Sequence, residues 1–210
     1  MLMIGRSYEI AKRVTDIIIS LICFLLLSPL FLVVSVLIKL DDGGKVIYFH
    51  DRCGRGRKTF RLYKFRSMVE NADDLLFSDP KFLEQLRSGV HKIPNDPRIT
   101  RIGKFIRKYS IDELPQFINV LKGDMSVVGP RAYRPDEMQK FEQDCPQMAG
   151  EINDIMSVKP GITGLWQVSG RSKIPFEKRV VMEAFYARKK SLVLDWIIML
   201  RTPLAIIEGV

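Results

Sequence analysis

Two carboxylates stand side by side, Asp112 and Glu113, in the stretch Arg107-Lys-Tyr-Ser-Ile-Asp-Glu-Leu-Pro115. One reading of the spacing is structural. Ser110-x-x-Glu113 matches a capping box, with Glu113 closing a first helical turn and Asp112 complementing the helix dipole. The other reading is chemical. Carboxylates at a helix start, near Arg107 and Lys108, are expected to stay ionised, so one can act as nucleophile while the other holds a hard cation such as Mg²⁺. Pro115 stiffens the backbone just behind the pair. A second element, Gly123-Asp-Met-Ser-Val-Val-Gly-Pro-Arg131, ends in an arginine able to fork two donors onto a phosphate. A third, Lys159-Pro-Gly-Ile-Thr-Gly-Leu-Trp-Gln-Val-Ser-Gly-Arg171, offers backbone amides, hydroxyls and two cations suited to oxyanions or a sugar. Dinucleotide-binding and P-loop glycine signatures are absent. His50 and His91 lack metal-ligand spacing and read as packing or surface residues.

These groups need elements to position them. Ile17 to Ile38 is 22 residues without a charge, roughly 33 Å as a helix and about the hydrocarbon thickness of a bilayer. No small-x-small cleavage site follows, and the run is too uniformly apolar for an ordinary core helix. Ser28-Pro29 falls inside it, where proline removes a helical hydrogen bond. From the residues alone two topologies stay open, a kinked spanning helix or a helix–break–helix hairpin that returns to the same face. Basic residues on both sides pull both ends towards the cytoplasm: Arg6, Lys12 and Arg13 before the run, and Lys39, Lys45, Arg52, Arg55, Arg57 and Lys58 after it.

Asp41-Asp-Gly-Gly44 marks a turn, and Val46–Phe49 and Phe60–Phe65 read as a β-hairpin around a basic glycine turn. Helical patterns are expected over Asn71–Val90, Ile102–Lys108, Glu113–Leu121, Pro135–Gln143 and Phe176–Lys190. Ser191–Ile207 suits a helix lying on a membrane surface, and a core helix reads equally well.

The 210 residues carry 33 Lys and Arg against 24 Asp and Glu, a net charge of +9 that points to anionic partners: phospholipid, nucleic acid or phosphorylated substrates. With 47% hydrophobic and 27% charged residues, a disordered tail and a many-pass transporter are both excluded. Cys23, Cys53 and Cys145 are odd in number and far apart, which argues against a disulfide framework and fits a reducing compartment.

Taken in order, Ser28-Pro29, Tyr63-Lys-Phe-Arg-Ser-Met68, Ser110-Ile-Asp-Glu-Leu-Pro-Gln116, Leu121-Lys-Gly-Asp-Met-Ser126, Val128-Gly-Pro-Arg131 and Pro160-Gly-Ile-Thr-Gly164 resemble the bacterial sugar transferase family, the monotopic polyprenyl-phosphate phosphoglycosyl transferases. The likeness runs from about Tyr8 to Glu208. It implies a membrane helix that re-enters at Ser28-Pro29, Asp112 and Glu113 as the catalytic pair, and Arg107 and Arg131 as phosphate-binding residues. Lys159 and Arg171 join them as candidate phosphate ligands, and Glu113 as the Mg²⁺ ligand. Ala132 stands where the family commonly has proline, and Lys159 where it commonly has arginine, which keeps charge but removes a bidentate fork. The extra membrane helices and regulatory domain of larger members are missing, so a minimal form or an isolated catalytic domain is expected.

The resulting expectation is an α+β chain: a membrane-embedded re-entrant helix over residues 1–40, and a mostly helical cytoplasmic domain over 41–210 with a small β-hairpin and surface-lying amphipathic helices. The implied reaction transfers a sugar-1-phosphate from a UDP-sugar to polyprenyl (undecaprenyl) phosphate through a covalent aspartate intermediate. This would be the first membrane step of exopolysaccharide, capsule, O-antigen or other glycoconjugate synthesis at the bacterial inner membrane. Hexose and N-acetylated amino-sugar enzymes share these motifs, and Gly164–Arg171 leans towards a hexose such as galactose or glucose. Membrane lipids are expected partners, a homodimer is left open, and nucleic acid is not expected because acids interrupt the basic residues. The competing class is a non-catalytic basic membrane-anchored scaffold or lipid-binding module, which predicts steep salt dependence without turnover.

Overall fold

The computed structural model describes residues 2–72, 74–75 and 96–207. Most of the expected Asn71–Val90 helix, and His91, lie outside the described residues. Helix α1 runs Leu2–Asp42, and by length and composition its Ser7–Asp42 part could cross a membrane. The expected break at Ser28-Pro29 does not interrupt it. Pro29 cannot donate to the Leu25 carbonyl four residues back, and the Ser28 hydroxyl donates to that carbonyl instead at 2.9 Å. The proline costs the helix a backbone donor, and the serine supplies a substitute.

One face of α1 is committed to the rest of the protein along nearly its whole length. Asp16 accepts from the Ser126 hydroxyl and the Val127 amide. Arg13 donates to the carbonyls of Val120 and Leu121. Ile19, Cys23 and Phe24 then pack on one core, and Leu30, Phe31, Val34 and Ile38 on another with Phe65 and Ile106. Asp42 closes the stripe on the Arg66 guanidinium.

Strands β1 (Ile47–Cys53) and β2 (Thr59–Phe65) form the antiparallel hairpin, with Tyr48 opposite Lys64, His50 opposite Leu62 and Arg52 opposite Phe60. β1 is longer than expected, so Arg52 is a strand residue rather than part of the turn. Helix α2 (Arg101–Lys108) is capped by Thr100, whose hydroxyl accepts from the Gly103 amide at 2.9 Å. The chain then reverses at Ser110, in the left-handed region at φ 56°. A 3₁₀ turn, Ile111–Glu113, precedes helix α3 (Gln116–Lys122), which Gly123 ends at φ 90°.

The capping box over Ser110 and Glu113 is therefore corrected. Ser110 terminates the region after α2, its side chain caps nothing, and the Glu113 amide bonds to the Ser110 backbone carbonyl at 3.2 Å. Asn119 pins α3 to the hairpin by accepting from the Tyr63 amide and donating to the Arg61 carbonyl.

Two short strands unread in the sequence, β3 (Ser126–Val128) and β4 (Gly161–Thr163), pair in parallel. Helices α4 (Pro135–Asp144) and α5 (Ala149–Met156) lie between them in the chain. After β4 come α6 (Leu165–Val168), α7 (Phe176–Lys189) and α8 (Leu192–Ile207). Tyr133, Met138, Phe141, Ile152, Val180 and Ala184 make the core beneath α4, α5 and α7.

Candidate active site

The 3₁₀ turn holds Asp112 and Glu113 against β2, where Lys64 reaches both. Its ammonium stands 2.6 Å from Glu113 Oε1 and 3.7 Å from Asp112 Oδ2. Asp112 is the more buried, with 12% of its side chain exposed against 34% for Glu113. Burial pushes the Asp112 carboxyl up to about 6, with the Glu113 charge adding to the shift and Lys64 and Arg107 opposing it. Burial acts on Glu113 too, but Lys64, Arg131 and Arg171 overcome it and hold that carboxyl below its ordinary value. Desolvation outweighs the cations at Asp112, yet a value of about 6 still leaves both carboxyls mainly ionised at neutral pH, as the sequence leads one to expect.

Around the pair lies a ring of cations. Tyr48, His50 and Arg52 share the hairpin face with Lys64 because strand residues two apart point the same way. Arg52 donates to the Ala132 carbonyl at 3.0 Å, and Cys53 to the Tyr133 carbonyl at 2.8 Å. These bonds tie β1 to the loop carrying Arg131. On the far side of that loop Glu183 accepts from the Arg131 amide at 2.9 Å and the Tyr133 hydroxyl at 2.5 Å. Glu183 is fully buried and desolvation pushes it up to about 7 against those donors.

His50 packs beside Tyr48, with ring centroids 5.6 Å apart. Both ring nitrogens are buried without a partner. Burial, with Arg52, Lys64, Arg134 and Arg131 around it, pushes the imidazole down to about 3, so it is neutral at physiological pH.

Of the sequence-predicted residues, the fold sets Arg107 within electrostatic reach of Asp112, and Arg131 and Arg171 within reach of Glu113. Lys159 lies elsewhere. Its charge interacts with Arg13, Asp16, Arg55 and Glu9, beside the N-terminal half of α1. The glycines of its motif are also not an open oxyanion cradle. A Cβ on Gly161 would sit 2.0 Å from the Gly129 nitrogen, and one on Gly164 2.3 Å from the Gly129 oxygen. They are glycines because two backbones touch there. Lys64, His50 and Arg52 were not singled out from sequence, although the period of two along the hairpin would have put them on one face.

For a metal, the pair offers only carboxylate oxygens, which suits a hard cation that takes one or two carboxylates and fills its other positions with water and phosphate oxygens. No group of three or more His, Cys, Asp or Glu side chains able to hold a metal occurs among the described residues.

Residues 7–209 match the bacterial sugar transferase family. The chain is 40% identical over 197 residues to the exopolysaccharide production protein ExoY of Sinorhizobium fredii, covering 92% of this chain and 84% of that protein. It is 42% identical over 201 residues to the undecaprenyl-phosphate galactose phosphotransferase of Salmonella typhimurium, covering 94% of this chain and 40% of that protein. A relative from Aeromonas hydrophila, a UDP-N-acetylgalactosamine-undecaprenyl-phosphate N-acetylgalactosaminephosphotransferase, is 39% identical over 206 residues, 96% of this chain and 45% of the relative. The chain thus spans most of one curated relative and less than half of the other two. With a match across almost its entire length and a carboxylate pair set among phosphate-suited cations, this chain belongs to the bacterial sugar transferase family.

Proposed function

We propose that this enzyme moves a sugar-1-phosphate from a UDP-sugar to undecaprenyl phosphate, in two steps through Asp112. In the first, an Asp112 carboxylate oxygen attacks the sugar-bearing phosphorus. The phosphoanhydride P–O bond breaks, its electron pair leaves with UMP, and an acyl phosphate remains on the enzyme. In the second, an oxygen of the lipid phosphate attacks the same phosphorus, the acyl phosphate P–O bond breaks, and the Asp112 carboxylate is regenerated.

The observation that carries this reading is the Lys64 clamp, which sets one buried and one more exposed carboxylate against Arg131 and Arg171. Asp112, desolvated, is the stronger nucleophile once deprotonated. Glu113, more exposed and held ionised, is the residue to hold Mg²⁺, with Asp112 beside it. When bound, that ion offsets negative charge on the phosphates. Arg131 and Arg171 supply fixed positive charge where the transferred phosphoryl group must lie. A binding module has no use for a desolvated carboxylate raised to about 6 at the centre of its cations.

The apolar surfaces support placement at a membrane surface. On α1, Ile18, Leu21, Ile22, Leu25, Leu26, Leu32, Val33, Val36 and Leu37 are exposed opposite the packed stripe, and on α8 Val193, Trp196, Ile197, Leu200, Leu204 and Ile207 form a second exposed row. Such faces bury into the headgroup–acyl boundary when a helix lies in the interface.

The test incubates the purified chain with Mg²⁺ and a panel of UDP-hexoses and UDP-N-acetylhexosamines. UMP should appear before any lipid is added, in at most one equivalent, and mass spectrometry should find a phosphosugar adduct on Asp112. Asp112→Asn should abolish adduct and turnover. Near-normal turnover in that variant, or an adduct confined to Glu113, would reject the assignment.

A further inference from the structure

Trp166 and Arg179 form a buried cluster of polar groups that the carboxylate site does not account for. Arg179, on α7, is 9% exposed, and its Nε and Nη2 are buried without any hydrogen-bond partner. Its guanidinium lies over three rings, 4.7 Å from the centroid of Phe176, 5.0 Å from Trp166 and 5.5 Å from Tyr133. Trp166, 8% exposed, likewise has its indole Nε1 buried and unpartnered. The Arg131 guanidinium approaches the same indole ring, at 6.0 Å, and its Nε is also buried and unpartnered.

These orphaned groups are four N–H donors on three side chains, and none of the four atoms is an acceptor. Buried donors each carry a desolvation cost until they meet an acceptor. Two guanidiniums around one indole also repel each other unless an anion compensates them. Glu183 compensates only partly. It lies one helical turn from Arg179, but its oxygens are taken by the Arg131 amide and the Tyr133 hydroxyl, and no ion pair with Arg179 forms within 4.0 Å. What the three side chains have in common is a need for several acceptor oxygens and negative charge, the chemistry of a phosphate group.

We propose that Arg179, Trp166 Nε1 and Arg131 Nε form a second phosphate subsite, adjoining the carboxylate pair through Arg131. The proposal deepens the reading of the reaction given above, since a phosphoryl transfer between two phosphorylated substrates must hold a phosphate that is not itself transferred. Arg131 belongs to both places: its charge is felt at Glu113, and its side chain stacks towards Trp166. The phosphate concerned comes either from the nucleotide leaving group or from the lipid acceptor.

Two variants test it. Trp166→Phe keeps an aromatic ring beneath both guanidiniums and deletes only the indole donor. Arg179→Lys keeps the charge and deletes the planar fork. Binding of UMP and of undecaprenyl phosphate in detergent micelles is measured by calorimetry on the full chain, with KM for each substrate measured separately and melting temperature as the folding control. Arg179→Lys should weaken binding of one of the two ligands about 10- to 100-fold, as expected for charge-assisted hydrogen bonds, and Trp166→Phe should weaken the same ligand by a smaller factor.

A rise in KM confined to the UDP-sugar assigns the subsite to the nucleotide phosphate, and one confined to the lipid assigns it to the acceptor. Unchanged binding of both ligands in a folded Trp166→Phe and Arg179→Lys would overturn the proposal. If the wild-type chain binds UMP or undecaprenyl phosphate through these residues but turns over no UDP-sugar, the subsite stands and the reaction reading fails.

Discussion

Lys64 decides how Asp112 and Glu113 differ. A single ammonium cannot serve both carboxylates equally, and it sits 2.6 Å from Glu113 but 3.7 Å from Asp112. Glu113 is therefore held ionised while Asp112, less well compensated and more buried, is raised to about 6. The sign for activity follows. Asp112 must be deprotonated to attack phosphorus, so the rate should fall as the pH drops through about 6. Removing Lys64 removes a charge that lowers the Asp112 value, so Lys64→Met should move the acid limb to higher pH and depress the rate at neutrality. A pH profile of kcat/KM for the UDP-sugar checks this, and an unmoved acid limb would detach Lys64 from Asp112. The pair itself was legible in the sequence because its members are adjacent. Its electrostatics were not, because Lys64 comes from 48 residues upstream of Asp112 and burial has no signature in a local motif.

At the level of elements, the longer helices and the hairpin could be read from the sequence pattern, whereas β3 and β4 could not. Three-residue strands carry too few alternations to register, and Gly161 lies where pattern suggests a loop. Their pairing nevertheless sets the loop after β3 that carries Arg131: the Ser126 amide donates to the Pro160 carbonyl at 2.9 Å, Gly161 to Pro130 at 2.8 Å and Gly129 to Thr163 at 2.9 Å. Gly161→Ala should therefore be costly despite adding one methyl group. Its Cβ would lie 2.0 Å from a backbone nitrogen that cannot rotate away, so about 3 kcal/mol or more of destabilisation is expected. Thermal melting measures it, together with a loss of activity beyond the loss of folded protein, as the Arg131 loop shifts. A melting temperature within a degree of the parent would mean that the two backbones separate at little cost. The Ser110 turn makes the same point. Its left-handed backbone, which the sequence does not announce, converts an expected cap into a chain reversal.

At the scale of the whole molecule, the question is how a helix this apolar meets the bilayer. Its packed residues recur every three or four positions from Lys12 and Arg13 through Asp16 and Ser20 to Phe24, and, after one seven-residue step across Ser28-Pro29, from Phe31 through Val34 and Ile38 to Asp42. That is one stripe roughly 45 Å long at 1.5 Å per residue. Both ends are fastened: Lys12 and Tyr8 to Asp195 at 2.9 and 3.1 Å, and Asp42 to Arg66. A helix crossing the bilayer upright would have to draw the domain packed along this stripe into hydrocarbon with it, including the polar groups that meet Arg13, Asp16 and Asp42. Lying in the interface leaves the packed face on the domain and buries the opposite apolar face. Residue 5 should then share a side of the membrane with the catalytic domain. In a chain whose own cysteines are replaced by alanine, Gly5→Cys and Lys173→Cys, the latter at an exposed site in the domain, should both react with an impermeant maleimide in inside-out vesicles. Both should be protected in right-side-out ones. Labelling of Gly5→Cys from the side opposite to Lys173→Cys would show that the helix crosses, and that its fastening to the domain breaks in the membrane.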